Sequence, residues 1–256
     1  MVAGAPGASA QRVQCRLTDQ RLTEISGMTV SQRHPDVLWM HNDSSGGPFL
    51  YAVDLTSCRT IARLRIRGIA ARDLEGLASG VDQRGRPVLW LGDIGDNRNT
   101  WPWVWMYRIP EPRALIDATV TARSFRFTYP GGSRNAEAIL ADPRGARTWI
   151  VTKGLPRGEL FALPTPLRPK RVNVAVPVRR EGPFITDGAV APNGMRYVLR
   201  DYATATVFDG LPPGRKAKTI ALPIQPQGEA ITWTADSSAL LIASERDTRI
   251  FRIPVD

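Results

Sequence analysis

Five times along this 256-residue chain a short polar signature opens an apolar run: Glu24-Ile25-Ser26-Gly27-Met28, Asp73-Leu74-Glu75-Gly76-Leu77, Asn135-Ala136-Glu137-Ala138-Ile139, Ile185-Thr186-Asp187-Gly188-Ala189 and Gln227-Gly228-Glu229-Ala230-Ile231. The anchors Ser26, Glu75, Glu137, Asp187 and Glu229 lie 49, 62, 50 and 42 residues apart. A period of this size means one supersecondary unit used repeatedly, each copy burying its faces against its neighbours. Four of the five anchors are carboxylates, so whatever gathers the repeats also gathers negative charge.

Within each repeat the same order of short runs returns. The second runs are Val37-Leu38-Trp39-Met40, Val88-Leu89-Trp90-Leu91, Thr148-Trp149-Ile150-Val151, Arg196-Tyr197-Val198-Leu199 and Leu240-Leu241-Ile242-Ala243. They are rich in β-branched and aromatic residues and bounded by Gly, Pro, Asp and Asn, the composition of strands. Third runs follow near residues 49, 104, 160, 206 and 249. Fourth runs at 60–66, 122–129, 172–178 and 218–222 alternate apolar and polar residues, as half-exposed edge strands do. No segment has the pattern of a long amphipathic helix.

Four strands in each of five repeats predict an all-β chain, a five-bladed β-propeller with four antiparallel strands per blade. The length and the 43% hydrophobic content suit one such domain over 11–256, preceded by a flexible segment, 1–10. The last repeat ends after its third strand, and the strand-like stretch 11–17 is free to supply the missing outer one. Closing the ring in this way removes an unpaired blade edge, which would otherwise template aggregation. It also brings Cys15, on the closing strand, near Cys58, at the turn into the outer strand of the first blade. A disulfide there is geometrically open, as are two buried thiols.

The formal charge of +10 raises the question of nucleic acid. Only Lys153, Lys170, Lys216 and Lys218 are lysines, and the thirty arginines are scattered rather than striped, so a solvated basic surface is the expected reading. No apolar stretch approaches the roughly 18–20 residues of a transmembrane helix. The chain is expected to be a soluble monomer. Ala8-Ser9-Ala10 resembles a signal-peptidase site, and with one disulfide it points to a secreted or cell-envelope protein; a cytoplasmic one is the alternative.

In a propeller the first strand of each blade lines the channel and the second runs back beside it. The start of the first and the end of the second therefore share one mouth. Ten of the 24 acidic residues map there: Asp43, Asp73, Glu75, Asp93, Asp96, Glu137, Asp187, Asp201, Glu229 and Glu245. Carboxylates so concentrated repel one another unless paired, protonated or bound to metal. With only two histidines in the chain, an oxygen-ligated divalent cation is expected, calcium before magnesium and either before zinc. The candidate ligands are Glu75, Glu137, Asp187, Glu229 and Asp43. Strand capping, or pairing with Arg72, Arg134 and Arg200, is the structural alternative.

The candidate catalytic groups are Glu75 and Glu137 as proton acceptors, His41 as a general base and Lys153 as a cation among acids. A packed histidine and a plain lysine ion pair compete with the last two roles. Asn42, Asp93 and Arg200 are candidates to bind a small polar or anionic ligand, and Trp101 and Trp103 to stack on it. Trp101, Trp103 and Trp105 alternate, which places their rings on one face of an extended segment, as a ligand platform or as packing between blades.

Taken together, His41-Asn42-Asp43-Ser44, Asp73-Leu74-Glu75, Gly92-Asp93-Ile94-Gly95-Asp96-Asn97, Asn135-Ala136-Glu137-Ala138, Thr152-Lys153, Thr186-Asp187-Gly188 with Pro192-Asn193-Gly194, Gln227-Gly228-Glu229-Ala230 and Ser244-Glu245 resemble a bacterial, largely actinobacterial, family of propellers. That family is distantly similar to the esterase-like phytase propellers. The resemblance covers most of the chain and implies a propeller, often exported. Leu74 and Gly76 stand where the family more typically carries Trp and Asp, removing one acid from the mouth, and Asn193 stands for an Asp in a blade turn. The function expected from these readings is a cation-binding mouth that hydrolyses an ester, lactone or phosphoester with metal assistance. A binding or scaffolding propeller, its acids holding a structural cation or ion-paired in the channel, is the alternative.

Overall fold

A computed structural model describes residues 11–43 and 46–255; the segment 1–10 and Ser44 lie outside the described residues. The described chain is all β, and none of its helices is long and apolar enough to cross a membrane. After β1 (Arg12–Arg16), blade 1 is built from β2 (Ile25–Val30), β3 (Val37–Asn42), β4 (Phe49–Asp54) and β5 (Thr60–Arg67). Blade 2 takes β6 (Leu74–Val81), β7 (Pro87–Asp93), β8 (Val104–Pro110) and, after the short β9 (Ala118–Thr121), β10 (Arg123–Thr128). Blade 3 comprises β11 (Ala136–Ala141), β12 (Thr148–Thr152), β13 (Glu159–Ala162) and, after β14 (Asn173–Val174), β15 (Val176–Arg180). Blade 4 is β16 (Asp187–Val190), β17 (Arg196–Arg200), β18 (Thr204–Asp209) and β19 (Arg215–Ala221). Blade 5 is β20 (Gln227–Trp233), β21 (Ala239–Glu245) and β22 (Arg249–Pro254), with β1 as its outer strand.

The ring closes as the strand count requires. β1 pairs antiparallel with β22 from Arg12↔Arg252 to Arg16↔Arg249. Cys15 and Cys58 are disulfide-bonded, with Cα atoms 5.8 Å apart, and tie blade 5 to blade 1. The second strands are buried along nearly their whole length, because a blade is covered on both faces. The core is accordingly five wedges rather than one: each apolar cluster lies between two neighbouring blades, as Met28, Met40, Leu241 and Ile250 do between blades 1 and 5.

The outer rim departs from the simple count. The expected fourth run at 172–178 is divided between two sheets: β14 pairs parallel with β10 of blade 2, and β15 pairs with β13 of blade 3. The crossing falls at the small, buried Ala175, whose N–H donates to the Thr128 carbonyl. β9, which the run pattern does not reveal, does the same one blade earlier, pairing parallel with β5 before β10 begins. An outer strand exposes a row of unpaired backbone groups. These two segments satisfy part of it and stitch neighbouring blades together.

Candidate active site at the channel mouth

The anchors occupy the starts of the inner strands, and four of the five sit at a β-bulge. Ladder registers slip by one residue between Ile25 and Gly27, between Leu74 and Leu77, between Ala136 and Ala138, and between Gly228 and Ala230. A bulge leaves one residue unpaired and re-aims its side chain. Ser26, Glu75, Glu137 and Glu229 are the side chains so placed. Blade 4 has no bulge; Asp187 pairs in register with Arg200. Each anchor is followed by Gly or Ala because the inner strands nearly touch. A Cβ on Gly27 would lie 2.7 Å from the Glu75 carbonyl oxygen, and one on Gly76 2.6 Å from the Ile139 nitrogen.

The bulged anchors form an arc in which each makes a side-chain hydrogen bond. Ser26 Oγ donates to Glu75 Oε2 at 2.5 Å. Two residues before each anchor, on the same strand face, sits a second polar group. Asn135 Nδ2 donates to Glu137 Oε1 at 3.0 Å and Gln227 Nε2 to Glu229 Oε1 at 3.0 Å. In blade 2 that position is Asp73, and the carboxylates of Asp43, Asp73 and Glu75 each offer an oxygen within 4.8 Å of the others. Gly95 makes room for this: a Cβ there would lie 2.4 Å from the Asp73 carboxyl carbon.

Burial and mutual repulsion set the protonation of this arc. Burial, then Glu137, pushes Glu75 well above the ordinary carboxylate range. Burial raises Glu137 to about 7 although Lys153 opposes it. Asp73 is raised to about 6 by burial and then by Asp43 and Asp93, and Glu245 to about 7 by burial and Glu229. The counter-cation at the mouth is Lys153, its Nζ 3.2 Å from Glu137 Oε1 and 5.7 Å from the centre of the Tyr202 ring. Beside it opens a cleft of about 790 Å³ lined by Asn135, Lys153, Arg134, Arg157 and Tyr202 among others.

Several sequence candidates fall elsewhere in the framework. His41 is fully buried beneath the mouth, with Nδ1 2.8 Å from the Asn42 carbonyl oxygen, and burial lowers its pKa. Asn42 spends both ends of its amide on backbone, donating to Arg21 O and accepting from Glu24 N. Asp93 is fully buried, accepting from Asp73 N, Arg72 Nε and the Tyr107 hydroxyl. Asp187 Oδ2 accepts from Ile231 N at 2.8 Å, and burial raises its pKa far above normal. Arg200, also fully buried, donates to the carbonyls of Ala230 and Ala243; burial lowers its pKa to about 10. Trp101 stacks on Arg72 at 3.8 Å, whereas Trp103 and Trp105 flank Arg126, so the alternate-ring face continues through only two of the three indoles.

Of the five candidate metal ligands, Asp43 and Glu75 share a point that one ion could reach. The third member, Asp73, was legible only as one acid among ten. Its signal is the spacing of two from the anchor, the same spacing that carries Asn135 and Gln227.

Comparison with solved structures places the chain among propellers. It superposes on the crystal structure of Myxococcus xanthus glutaminyl cyclase with a TM-score of 0.59 at 14% identity, over 96% of this chain and 97% of that one. It also matches the β-propeller domain of Myceliophteria thermophila Cps50 (Swd1), with a TM-score of 0.50 at 10% identity, over 96% and 100% of the two chains. At these identities the likeness is one of fold. No family model matches the chain, and no curated protein matches it.

Proposed function

We propose that the mouth binds a divalent cation on Asp43, Asp73 and Glu75, calcium in preference to magnesium, and hydrolyses an ester, lactone or phosphoester of a small polar or anionic compound. The observation that carries this reading is the spacing of the three carboxylates. Calcium–oxygen bonds of about 2.3–2.6 Å need donors no more than roughly 5 Å apart, and the three offer oxygens within 4.8 Å. Magnesium asks for stricter octahedral geometry, whereas Asp43 and Asp73 sit on segments flanking β3 and β6 and only Glu75 lies on a strand. A bound cation would neutralise the cluster and polarise the scissile carbonyl or phosphoryl oxygen.

The chain's own residues have separable tasks. Glu137, its pKa near 7, takes the proton of the attacking water as the water oxygen bonds to the acyl carbon or phosphorus. It returns that proton to the leaving oxygen as the ester bond breaks. Lys153, held on Glu137, offers its ammonium to developing negative charge. Asn135 keeps Glu137 aimed, and the adjoining cleft takes the rest of the substrate. The disulfide supports export to an oxidising compartment, as does the resemblance to often-exported propellers.

A binding propeller without turnover is favoured by one observation: Asn42, Asp93 and Arg200 are all consumed by framework hydrogen bonds. Calcium and magnesium titrations followed by thermal melting test the cation, because a ligand of the native state raises the melting temperature by mass action. The expected rise is lost in Asp73→Asn and Glu75→Gln. Absence of a shift in the wild type, with no metal by elemental analysis, refutes the site. Turnover on an ester, lactone and phosphoester panel, abolished in Glu137→Gln with calcium binding intact, separates the enzyme from the binding module.

A further inference from the structure

At the opposite end of the blades, between blades 2 and 3, lies a cleft of about 370 Å³ that the mouth chemistry does not involve. Its floor is a cross-strand row on β7, β8 and β10, in which Trp90 pairs with Arg108 and Arg108 with Arg123. Like charges directly opposite on antiparallel strands repel. This pair is nonetheless held in place. The Arg108 guanidinium lies 6.0 Å from the Trp90 ring centre and 5.7 Å from that of Phe125, and Arg123 lies 5.8 Å from the same Phe125 ring. Burial, then Arg123, pulls the Arg108 pKa down, the mark of a cation placed against its own preference.

The carboxylate lining the cleft, Asp82, is already committed. Arg86 binds its Oδ2 through Nε and Nη2 at 2.9 and 2.6 Å, and its Oδ1 accepts the N–H groups of Arg84 and Arg86. Neither Arg108 nor Arg123 has an ion-pair partner among the described residues. Four arginines against one aspartate leave the cleft with three positive charges in excess. Pro166 and Leu167 of blade 3 also line it.

We propose that this cleft binds a small free anion bearing a phosphate or sulfate group, gripped between the guanidinium forks of Arg108 and Arg123. Tetrahedral oxyanions match the two-pronged donor geometry of arginine, and their charge removes the repulsion across the strand pair. Trp90 and Phe125 pre-set the forks, which lowers the entropy cost of binding.

The test is calorimetric titration of the full chain at low salt with inorganic phosphate, pyrophosphate and sulfate, alongside thermal melting. One saturating site is expected, with a raised melting temperature. Arg123→Gln and the charge-conserving Arg108→Lys are each expected to weaken binding by about tenfold or more, the latter because it removes the fork and keeps the charge. Without anion, Arg123→Gln is expected to melt at or above the wild-type temperature, which a purely structural arginine would not allow. Glu75→Gln is expected to bind as the wild type does. Unsaturable heats, wild-type affinity in either arginine variant, or an equal effect of chloride at matched ionic strength would each overturn the site. So would binding to phosphatidylglycerol vesicles with no binding of the soluble anions, since the anion would then be a lipid headgroup.

Discussion

The inner strands have two ends, and the same residue type behaves oppositely at each. At the mouth, burial and the neighbouring Asp43 and Asp93 raise Asp73 to about 6. At the other end, burial also pushes Asp82 up, yet hydrogen bonds from the Arg86 side chain and the turn N–H groups hold it at about 2. Asp142 accepts hydrogen bonds of the same kind, from the Arg147 side chain and the Arg144 N–H. Around the channel at that far end Thr29 Oγ1 donates to Ser79 Oγ at 3.1 Å, and Ser31 Oγ donates to the buried Glu111 carboxylate. At the far end the carboxylates Asp82 and Asp142 are answered by turn donors; at the mouth the carboxylates are held against one another. Proteins keep such strain where a ligand relieves it.

The coarsest way to break the contrast is to open the ring on which both ends depend. Replacing Cys15 and Cys58 together with serine frees a 43-residue separation, and loop-closure entropy predicts a loss of about 4 kcal/mol, read by urea unfolding. Asp82→Ala removes two turn hydrogen bonds and an ion pair and is expected to cost about 2 kcal/mol at pH 7. Because the folded pKa of Asp82 is depressed, that contribution is present above the unfolded value near 4 and fades as pH falls through about 2. A variant as stable as the wild type at pH 7 would erase the contrast.

At the mouth the sign reverses. Glu245 has a folded pKa of about 7, above its unfolded value, so the wild type loses stability as pH rises from about 4.5 to 7 and no more above that. Glu245→Gln is therefore expected to stabilise the metal-free chain by about 1 kcal/mol at pH 8, after allowance for solvent screening, and by nothing at pH 4. Chemical denaturation at both pH values measures it, and destabilisation at pH 8 would contradict the reading. The smallest effect belongs to Ser26→Ala, which deprives Glu75 of a donor. A cost of about 0.5 kcal/mol is expected, with a steeper fall of stability above neutral pH.

Much of the site was legible because the repeat is covalent information. The acid at four of the five anchors, the small residue after each and the polar group two before four of them are all spacings along one strand. What spacing does not carry is register. Ile185-Thr186-Asp187 differs from Asn135-Ala136-Glu137 in having an apolar residue two before the anchor, but that difference does not say that blade 4 lacks the bulge and turns its acid inward to Ile231 N while the others face the mouth. The same limit hid the split of the run at 172–178, because alternation marks an edge strand and is silent about which edge it joins.

By itself the sequence determined the number of blades, the strand order within them, closure by the N-terminal strand and the gathering of acids at one mouth, since these follow from period, composition and chain direction. The tertiary structure decided which acids face each other, which are spent on the framework, and that Arg108 and Arg123 meet across strands fifteen residues apart in the chain. Those outcomes depend on a one-residue slip in a ladder or on the packing of one blade against the next. Both are settled by the balance of close-packing and hydrogen bonding in the assembled ring, where local pattern has no vote.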